Sequence, residues 1–427
     1  KRLADKSGYP EEIVQENLEG VETSIQAQQT REILENSPKL KKAAVDLSRY
    51  GHDDFENLGV FERLYRDTKQ GLNRGMLTRE LGLANRKLMG EIFRDTTGIG
   101  VLSTFMAKGA VDVDAPYCLY TIGLGSKDLP TLVIDDADLV LTLGFDMVEY
   151  HPRLWNPNRD KTIIHADFLP AEIDEHYHPE VELVGDLAHT LWMLNERLAS
   201  QGTPAFELAG QTDMRRRMGE ELAQHANDTT EGSIRPQKAV WDARSVLGPD
   251  DILLSDVGAH KMWIARHYHC HEPNTCLIPN GFCSMGFALP GAIAASLVHP
   301  ERRILAIAGD AGFMMNVQEM ETAKRLGCNL VVMVWEDCEY GLIAWKQQAE
   351  FGRHTDLEFT NPRWDLLAAA FGWHCHAVSN AADLAGDLES AFNEEGPSLV
   401  VIPIDYRENM LLTQRLGEII GAGSGVT

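Results

Sequence analysis

Residues 304–343 read ILAIAGDAGFMMNVQEMETAKRLGCNLVVMVWEDCEYGLI, and this stretch decides the fold. The apolar runs 304–308 and 330–335 have the length and composition of two buried parallel strands. Between them, 309–312 predicts a tight turn, and a helix from near Met314 carries apolar residues at every third position. A strand, a crossover helix and a second strand together predict an α/β fold with a parallel sheet.

Acidic residues follow both predicted strands, Asp310 after the first and Asp337 after the second. Open parallel sheets bind their ligands at the carboxyl ends of the strands. There the amides of Ala311, Gly312 and Phe313 would face an anion at a helix N-terminus. Two carboxylates, a backbone carbonyl and phosphate oxygens would complete the oxygen shell of Mg²⁺. The alternative is a Rossmann-like unit whose acidic strand ends are merely solvated.

As a whole, the stretch resembles the thiamine diphosphate motif, in which Gly-Asp-Gly is followed by a helix, a strand and a polar metal ligand. With alanine in the third position, it is most similar to the acetolactate synthases. Similar strings extend the resemblance over 98–196 and 237–415. The resemblance implies that the Asp310 and Asp337 side chains and the Glu339 carbonyl bind Mg²⁺.

The resemblance also implies a set of thiamine diphosphate contacts. It places the turn ending at His260 on the diphosphate, and Met285 beneath the bent cofactor, between its two rings. A structural histidine and a core methionine are the respective alternatives. No residue of this chain is assigned as catalytic. The predicted cofactor-binding residues are Val257, Gly258, Ala259, His260, Cys283, Met285, Gly309, Asp310, Ala311, Gly312, Tyr340 and Gly341.

Composition limits the classes of protein. The 427 residues include 64 acidic and 39 basic side chains, a net charge of −25, which argues against nucleic acid and anionic membranes as partners. We see neither a run of about 20 apolar residues nor a signal peptide. Seven cysteines without a CxxC pair predict reduced thiols and a cytoplasmic protein. Since the first residue is Lys1 and not Met, we do not expect it to be the native start.

Four segments are predicted. They are a helical N-terminal segment of unclear role (1–96), a central α/β domain (97–196), a helical linker (197–236) and a thiamine-diphosphate-binding domain (237–427). The predicted fold class is therefore α/β, with two doubly wound parallel-sheet domains behind a helical segment.

The N-terminal segment allows two interpretations. Its sequence faintly resembles acyl carrier domains, which would make Ser24 the site of a phosphopantetheine group. The usual Asp-Ser pair is replaced here by Thr23-Ser24. A helical docking or linker module without chemistry is the preferred interpretation.

FAD is not expected as a cofactor. The string GFDMVEYHPRLWN at 144–156 resembles the catabolic, FAD-independent acetolactate synthases rather than the anabolic ones. Alternatively, Glu149, Tyr150 and Trp155 simply cap the sheet.

Enzymes of this family carry an N-terminal pyrimidine-binding domain with an activating glutamate, and 1–96 is too short and too helical to supply it. The resemblance therefore leaves two functions open. The first is an acetolactate synthase that decarboxylates pyruvate and condenses the two-carbon unit with a second pyruvate, as a homodimer or homotetramer. The missing domain would then lie in further sequence or in a partner chain. The second is a non-catalytic or partner-dependent binding module.

Overall fold

The computed structural model describes residues 97–124, 128–201, 209–409 and 412, all within one compact unit, Gly75–Thr427. The predictions made for 1–96, including Ser24, lie outside the described residues.

The first described part contains two small parallel sheets. One pairs β1 (Val101–Ser103) with β2 (Cys118–Thr121), and the other has the order β3-β4-β5. The strands of the second sheet are β3 (Leu139–Leu143), β4 (Thr162–Asp167) and β5 (Val181–Val184), and the helices are α1 (Leu129–Asp135), α2 (Leu187–Gln201) and α3 (Ala209–Ala223). Short 3-10 helices cover Phe105–Ala107 and Pro152–Leu154.

Two aromatic residues of the 144–156 string belong to the core. Tyr150 and Trp155 are each 2% exposed and pack with Ile163 and Tyr177 against the second sheet. The Glu149 carboxylate accepts a hydrogen bond from the Met106 amide at 3.4 Å. The structure therefore gives Tyr150 and Trp155 a packing role.

Helix α3 lies inside the predicted linker but packs firmly on the first sheet. Met214, Met218 and Leu222 form a buried cluster with Leu119 and with Leu129 of α1. The predicted domain boundaries stay predictions, although α2 runs past 196 and α3 adds to the core of the preceding part.

The second part is built on a six-stranded parallel sheet with the order β10-β11-β9-β8-β6-β7. Its strands are β6 (Ile252–Ser255), β7 (Cys276–Leu277), β8 (Ile304–Gly309), β9 (Val331–Glu336), β10 (His374–Ala377) and β11 (Ser398–Pro403). Its helices are α4 (Pro236–Val246), α5 (Ala259–His267), α6 (Ala288–Val298), α7 (Asp310–Met315), α8 (Glu319–Arg325), α9 (Gly341–Phe351), α10 (Trp364–Phe371) and α11 (Leu384–Asn393), followed by a 3-10 helix at Tyr406–Glu408.

Helices cover both faces of this sheet. Alternate strand residues such as Leu305 and Met333 join a buried cluster with α4, α5 and α11. Their neighbours, such as Ala306 and Val332, join a second cluster with α6, α8 and α10. Since successive side chains of a strand point to opposite faces, apolar runs without alternation fill both layers. The predicted α/β class with parallel sheets is confirmed.

The crossover after β8 differs from its prediction. The sequence predicted a turn at 309–312 and one helix from near Met314, but α7 begins at Asp310 directly after the strand and ends at Met315. A second helix, α8, follows. The helix is interrupted at Asn316, whose side-chain amide donates to the Gly286 carbonyl at 2.7 Å. The periodicity of the sequence does not reveal this break, and the hydrogen bond that accompanies it reaches a loop 30 residues away.

All seven cysteines carry free thiols. Within the described ranges, every helix is too short or too polar to cross a bilayer.

Candidate functional site

The site forms where β8 and β9 end side by side. Their register pairs Gly309 with Trp335, so the residues that follow the two strands emerge at the same edge of the sheet. Asp310 is the first residue of α7 and only 1% exposed, and Asp337 follows β9 directly. The structure thus brings together the two carboxylates that the sequence assigned to the metal.

Both carboxylate oxygens of Asp310 accept hydrogen bonds. Its Oδ1 accepts from the Ala311 amide at 2.8 Å. Its Oδ2 accepts from the amides of Asp337 at 3.2 Å and Cys338 at 2.8 Å, and from Asn361 Nδ2 at 2.7 Å. The Ala311 amide, which the sequence assigned to an anion, is therefore occupied by the Asp310 carboxylate.

Asp337 lies against Asp310, and the two carboxyl groups affect each other. Burial and the Asp310 charge raise the pKa of Asp337 to about 8, and a hydrogen bond between the two side chains acts in the same direction. Two like charges in one poorly hydrated place favour a proton or a cation between them. A divalent cation would remove this repulsion, so the pair fits a metal site.

The remaining residues after β9 line the same edge. A Cβ on Gly341, the first residue of α9, would lie 2.6 Å from Asp337 Oδ2, so a larger residue there would displace the Asp337 carboxylate. The Glu339 carboxylate lies 3.1 Å from His354 Nε2, and the Glu339 carbonyl stays a predicted ligand. Tyr340 is 38% exposed and packs edge-on against Phe359.

Asp256 follows β6, is a third carboxylate at this edge and was not among the predicted site residues. It is 1% exposed, and its oxygens accept from the amides of Val257 at 2.7 Å, Gly286 at 2.9 Å and Ala288 at 3.0 Å. It therefore ties the 257–260 turn to the loop that carries Met285. Its position after an apolar strand, like that of Asp310, is the sequence signal that could have identified it.

His260 fills the space between β6 and β8. It is 2% exposed, and a Cβ on Gly309 would lie 3.3 Å from its Nδ1. A Cβ on Gly258 would lie 2.6 Å from its Cε1. Burial lowers the pKa of His260 to about 4, so the ring is neutral at pH 7. Its Nε2 is buried without a hydrogen-bond partner in the described structure. Buried polar atoms without partners are uncommon, and a bound ligand is one explanation for this atom.

The loop between β7 and α6 carries the predicted Cys283 and Met285. Met285 is half-buried, and Cys283 is exposed with a φ of 56°. Lys261 Nζ lies 3.5 Å from Cys283 Sγ and donates to Asn280 Oδ1 at 2.9 Å. Next to it, the phenyl ring of Phe282 is almost fully exposed.

Asn361 is a further site residue that the sequence analysis missed. It precedes α10, and its Nδ2 reaches Asp310 Oδ2 at 2.7 Å and Glu336 Oε1 at 3.0 Å. Glu336 also accepts from Trp364 Nε1 at 2.8 Å. The Asn361 Oδ1 atom is buried without a partner in the described structure. No sequence pattern links an asparagine before α10 to an aspartate after β8.

Taken together, the donor set fits a divalent cation and a phosphorylated ligand. Asp310 and Asp337 provide oxygen ligands of the kind that Mg²⁺ prefers. Three glycines leave room for these side chains: Gly309 lies beside His260, Gly312 beside Asp256 and Gly341 beside Asp337. The His260 Nε2 atom adds an orphan polar group.

Comparison with known families agrees with this geometry. Residues 256–402 match the model of the thiamine pyrophosphate enzyme, C-terminal TPP binding domain. Residues 91–194 match the thiamine pyrophosphate enzyme, central domain. The chain therefore carries the central and the C-terminal domains of the thiamine pyrophosphate enzymes.

Within that class, the chain is related to the acetolactate synthases, and the family resemblance predicted from the sequence is confirmed. It is 33% identical to the acetolactate synthase of Bacillus subtilis (strain 168) over 312 residues, which are 73% of this chain and 55% of the relative. It is 34% identical to the catabolic acetolactate synthase of Raoultella terrigena over 295 residues, which are 69% and 53%. The large subunit of acetolactate synthase isozyme 2 from Escherichia coli (strain K12) is 28% identical over 325 residues, which are 74% and 57%.

The chain spans about half the length of the curated relatives it matches. Its first 84 residues match a different family model, the large polyvalent protein associated domain 22. That description names neither an acyl carrier domain nor a pyrimidine-binding domain.

Proposed function

We propose that this chain binds thiamine diphosphate together with Mg²⁺, and that the side chains of Asp310 and Asp337 and the carbonyl of Glu339 are the protein ligands of the metal. The observation that carries the proposal is the contact between buried Asp310 and half-buried Asp337 after neighbouring strands. Desolvation and the Asp310 charge together raise the pKa of Asp337 to about 8. Such a pair is poorly stable as two anions without a cation.

The cofactor would lie across the ends of β6, β8 and β9. The 257–260 turn and its neutral His260 would face the diphosphate. Met285 would support the cofactor between the two rings of the cofactor. The hydrogen bond from the Gly286 amide to Asp256 holds the loop that carries Met285 in place. The other predicted contacts, among them Cys283, Tyr340 and Gly341, belong to the same proposal.

We infer a reaction of the acetolactate synthase kind, in which pyruvate is decarboxylated and its two-carbon unit is joined to a second pyruvate. Bound thiamine diphosphate supplies an electron sink for the electron pair that a departing carboxylate leaves behind. The chain's own residues anchor the metal, keep His260 neutral and hold the loop that orients the cofactor. The curated relatives are acetolactate synthases, which favours an enzyme over a non-catalytic module.

In this proposal the described residues form half of an active site. The other half, a pyrimidine-binding domain with its activating glutamate, would come from another chain or from further sequence. Assembly as a homodimer or homotetramer, and the absence of FAD, are part of the same proposal.

Calorimetric titration of the full chain with thiamine diphosphate tests the cofactor proposal. We expect binding in the presence of Mg²⁺ and none in EDTA. Asp337→Asn keeps the size of the side chain but removes its charge, and should weaken Mg²⁺-dependent binding. If the cofactor binds equally well with and without the metal, the assignment of Asp310 and Asp337 is wrong.

The reaction is tested by measuring 2-acetolactate from pyruvate with thiamine diphosphate and Mg²⁺. If the glutamate-bearing domain comes from another chain, the purified chain should be inactive and should gain activity with its partner. Cofactor binding without product in either case would favour the binding module.

A further inference from the structure

Lys261 is a buried lysine in the first turn of α5, next to His260. It is 7% exposed. Its Nζ donates to Asn280 Oδ1 at 2.9 Å and lies 3.5 Å from Cys283 Sγ. Both partners belong to the loop that joins β7 to α6, which also carries Met285. Removing a lysine amine from water costs free energy, so these contacts have to compensate for the lost hydration.

The same loop is held at its other end by Asp256, which lies just before α5. The Asp256 carboxylate accepts hydrogen bonds from the amides of Gly286 at 2.9 Å and Ala288 at 3.0 Å. The segment 256–261 therefore contacts the loop at two places, near its start through Lys261 and at its end through Asp256. Because this segment also contains the turn at the proposed diphosphate position, the turn and the loop are held in one arrangement.

The residues between these two attachment points are exposed. All four residues of 281–284 face solvent, and the Phe282 ring is 94% exposed. Met285, which follows them, is half-buried. Exposed side chains contribute little packing energy, so the conformation of 281–284 depends on the hydrogen bonds at its two ends.

Cys283 has a backbone conformation that needs such support. Its φ is 56°, in the left-handed region that residues with a Cβ rarely adopt. The Cys283 amide donates to the Pro279 carbonyl at 3.0 Å, and its thiol donates to the Asn280 carbonyl at 3.3 Å. Strained conformations persist where surrounding contacts determine them, and the Lys261 amine is one of these contacts. Met285 follows two residues later, so its position depends on this turn.

We propose that Lys261 is a positioning residue that fixes the distance between the diphosphate-binding turn and Met285. This inference rests on the proposed thiamine diphosphate site and adds a residue to it. Lys261 acts through Asn280 and Cys283, and its own amine does not touch the cofactor. Its effect should therefore fall on the rings of thiamine diphosphate, which Met285 would support. The diphosphate group, which the turn and the metal would hold, should be spared.

Limited proteolysis tests the hold on the loop without any cofactor. Chymotrypsin cleaves after aromatic residues, and the exposed Phe282 is its target in this loop. We expect Lys261→Met to speed cleavage after Phe282 by about tenfold, because cleavage requires local opening of the loop and the variant lacks both contacts. Cleavage after Phe351, which is 66% exposed at the end of α9, is the internal control and should keep its native rate. An unchanged rate at Phe282, in a variant that circular dichroism shows to be folded, would overturn the proposal.

Calorimetry tests the effect on the cofactor. Thiamine diphosphate and inorganic diphosphate are titrated separately into the full chain, each with Mg²⁺. Lys261→Met should weaken binding of thiamine diphosphate by about tenfold and leave binding of inorganic diphosphate within about twofold of native. The exposed Lys324→Met removes an equal charge elsewhere and should leave both affinities unchanged. If the native chain binds neither ligand, the proposed cofactor site is wrong, whereas the proteolysis still decides whether Lys261 holds the loop.

Asn280→Leu separates positioning from direct attraction by the lysine charge. It removes the acceptor of the Lys261 amine but keeps the charge and the approximate size of the side chain at 280. Positioning predicts that Asn280→Leu reproduces the loss seen with Lys261→Met, and that the double variant loses no more than either single variant. Equal weakening of both ligands in Lys261→Met, with native affinities in Asn280→Leu, would mean that the lysine attracts the diphosphate directly. That result would contradict the positioning role.

Discussion

Asn361 donates hydrogen bonds to two carboxylates at the site, those of Asp310 and Glu336. We expect Asn361→Ala to lower the free energy of unfolding by about 1–3 kcal/mol, because the carboxylates of Asp310 and Glu336 each lose one of their hydrogen-bond donors. It should also weaken Mg²⁺-dependent binding of thiamine diphosphate by about 10–100-fold, as loss of a residue that orients a metal ligand typically does. Urea denaturation and calorimetry measure the two effects. The exposed Asn393→Ala is the control, and an Asn361 variant with native metal dependence would refute the orienting role.

His267, which is not one of the predicted metal ligands, is expected to make the folding stability depend on pH. Burial, followed by the nearby Arg266 charge, lowers the pKa of His267 to about 3. Below pH 6.5 the unfolded chain binds a proton that the folded chain does not, so stability falls as the pH is lowered. The fall should approach about 1.4 kcal/mol per pH unit down to about pH 3.

Urea denaturation at several pH values between 7 and 4 measures this slope. His267→Gln should remove the contribution, so the difference in stability between variant and native chain shifts in favour of the variant as the pH falls. The exposed His189→Gln should leave the native slope unchanged. A His267→Gln slope equal to the native one would show that the histidine does not stay neutral on folding.

At the scale of elements, Arg266 at the end of α5 joins three segments. Its guanidinium meets Asp128, the N-cap of α1, at 2.6 Å and Glu221 of α3 at 2.9 Å, and its side chain is 2% exposed. We expect Arg266→Ala to destabilise the chain by about 3–5 kcal/mol, since Asp128 would be left as a buried charge. Arg216→Ala, which removes exposed ion pairs of the same α3 helix, should change the stability by less than about 0.5 kcal/mol. Equal effects of the two substitutions, measured by urea denaturation, would contradict a buried ionic junction.

At the scale of the whole molecule, cofactor binding should stabilise the folded chain. A ligand at 100 times its Kd adds about 2.7 kcal/mol when only the folded state binds it. Thermal unfolding should therefore move to higher temperature with thiamine diphosphate and Mg²⁺ together, and hardly at all with either alone. Asp337→Asn should reduce the joint effect. An equal shift from thiamine diphosphate in EDTA would mean that the cofactor is held without the metal pair.

The sequence by itself determined the parallel α/β class, the strands on either side of the crossover and the two acidic residues after them. Apolar runs and strand ends are local patterns, so they can be read without long-range contacts. Only the tertiary structure determined the features that depend on contacts between distant segments at one edge of the sheet. These include the early start of α7 at Asp310 and the hydrogen bonds from Gly286 to Asp256 and from Asn361 to Asp310. These hydrogen bonds join residues 30 or more positions apart, and sheet order rather than local periodicity brings them together.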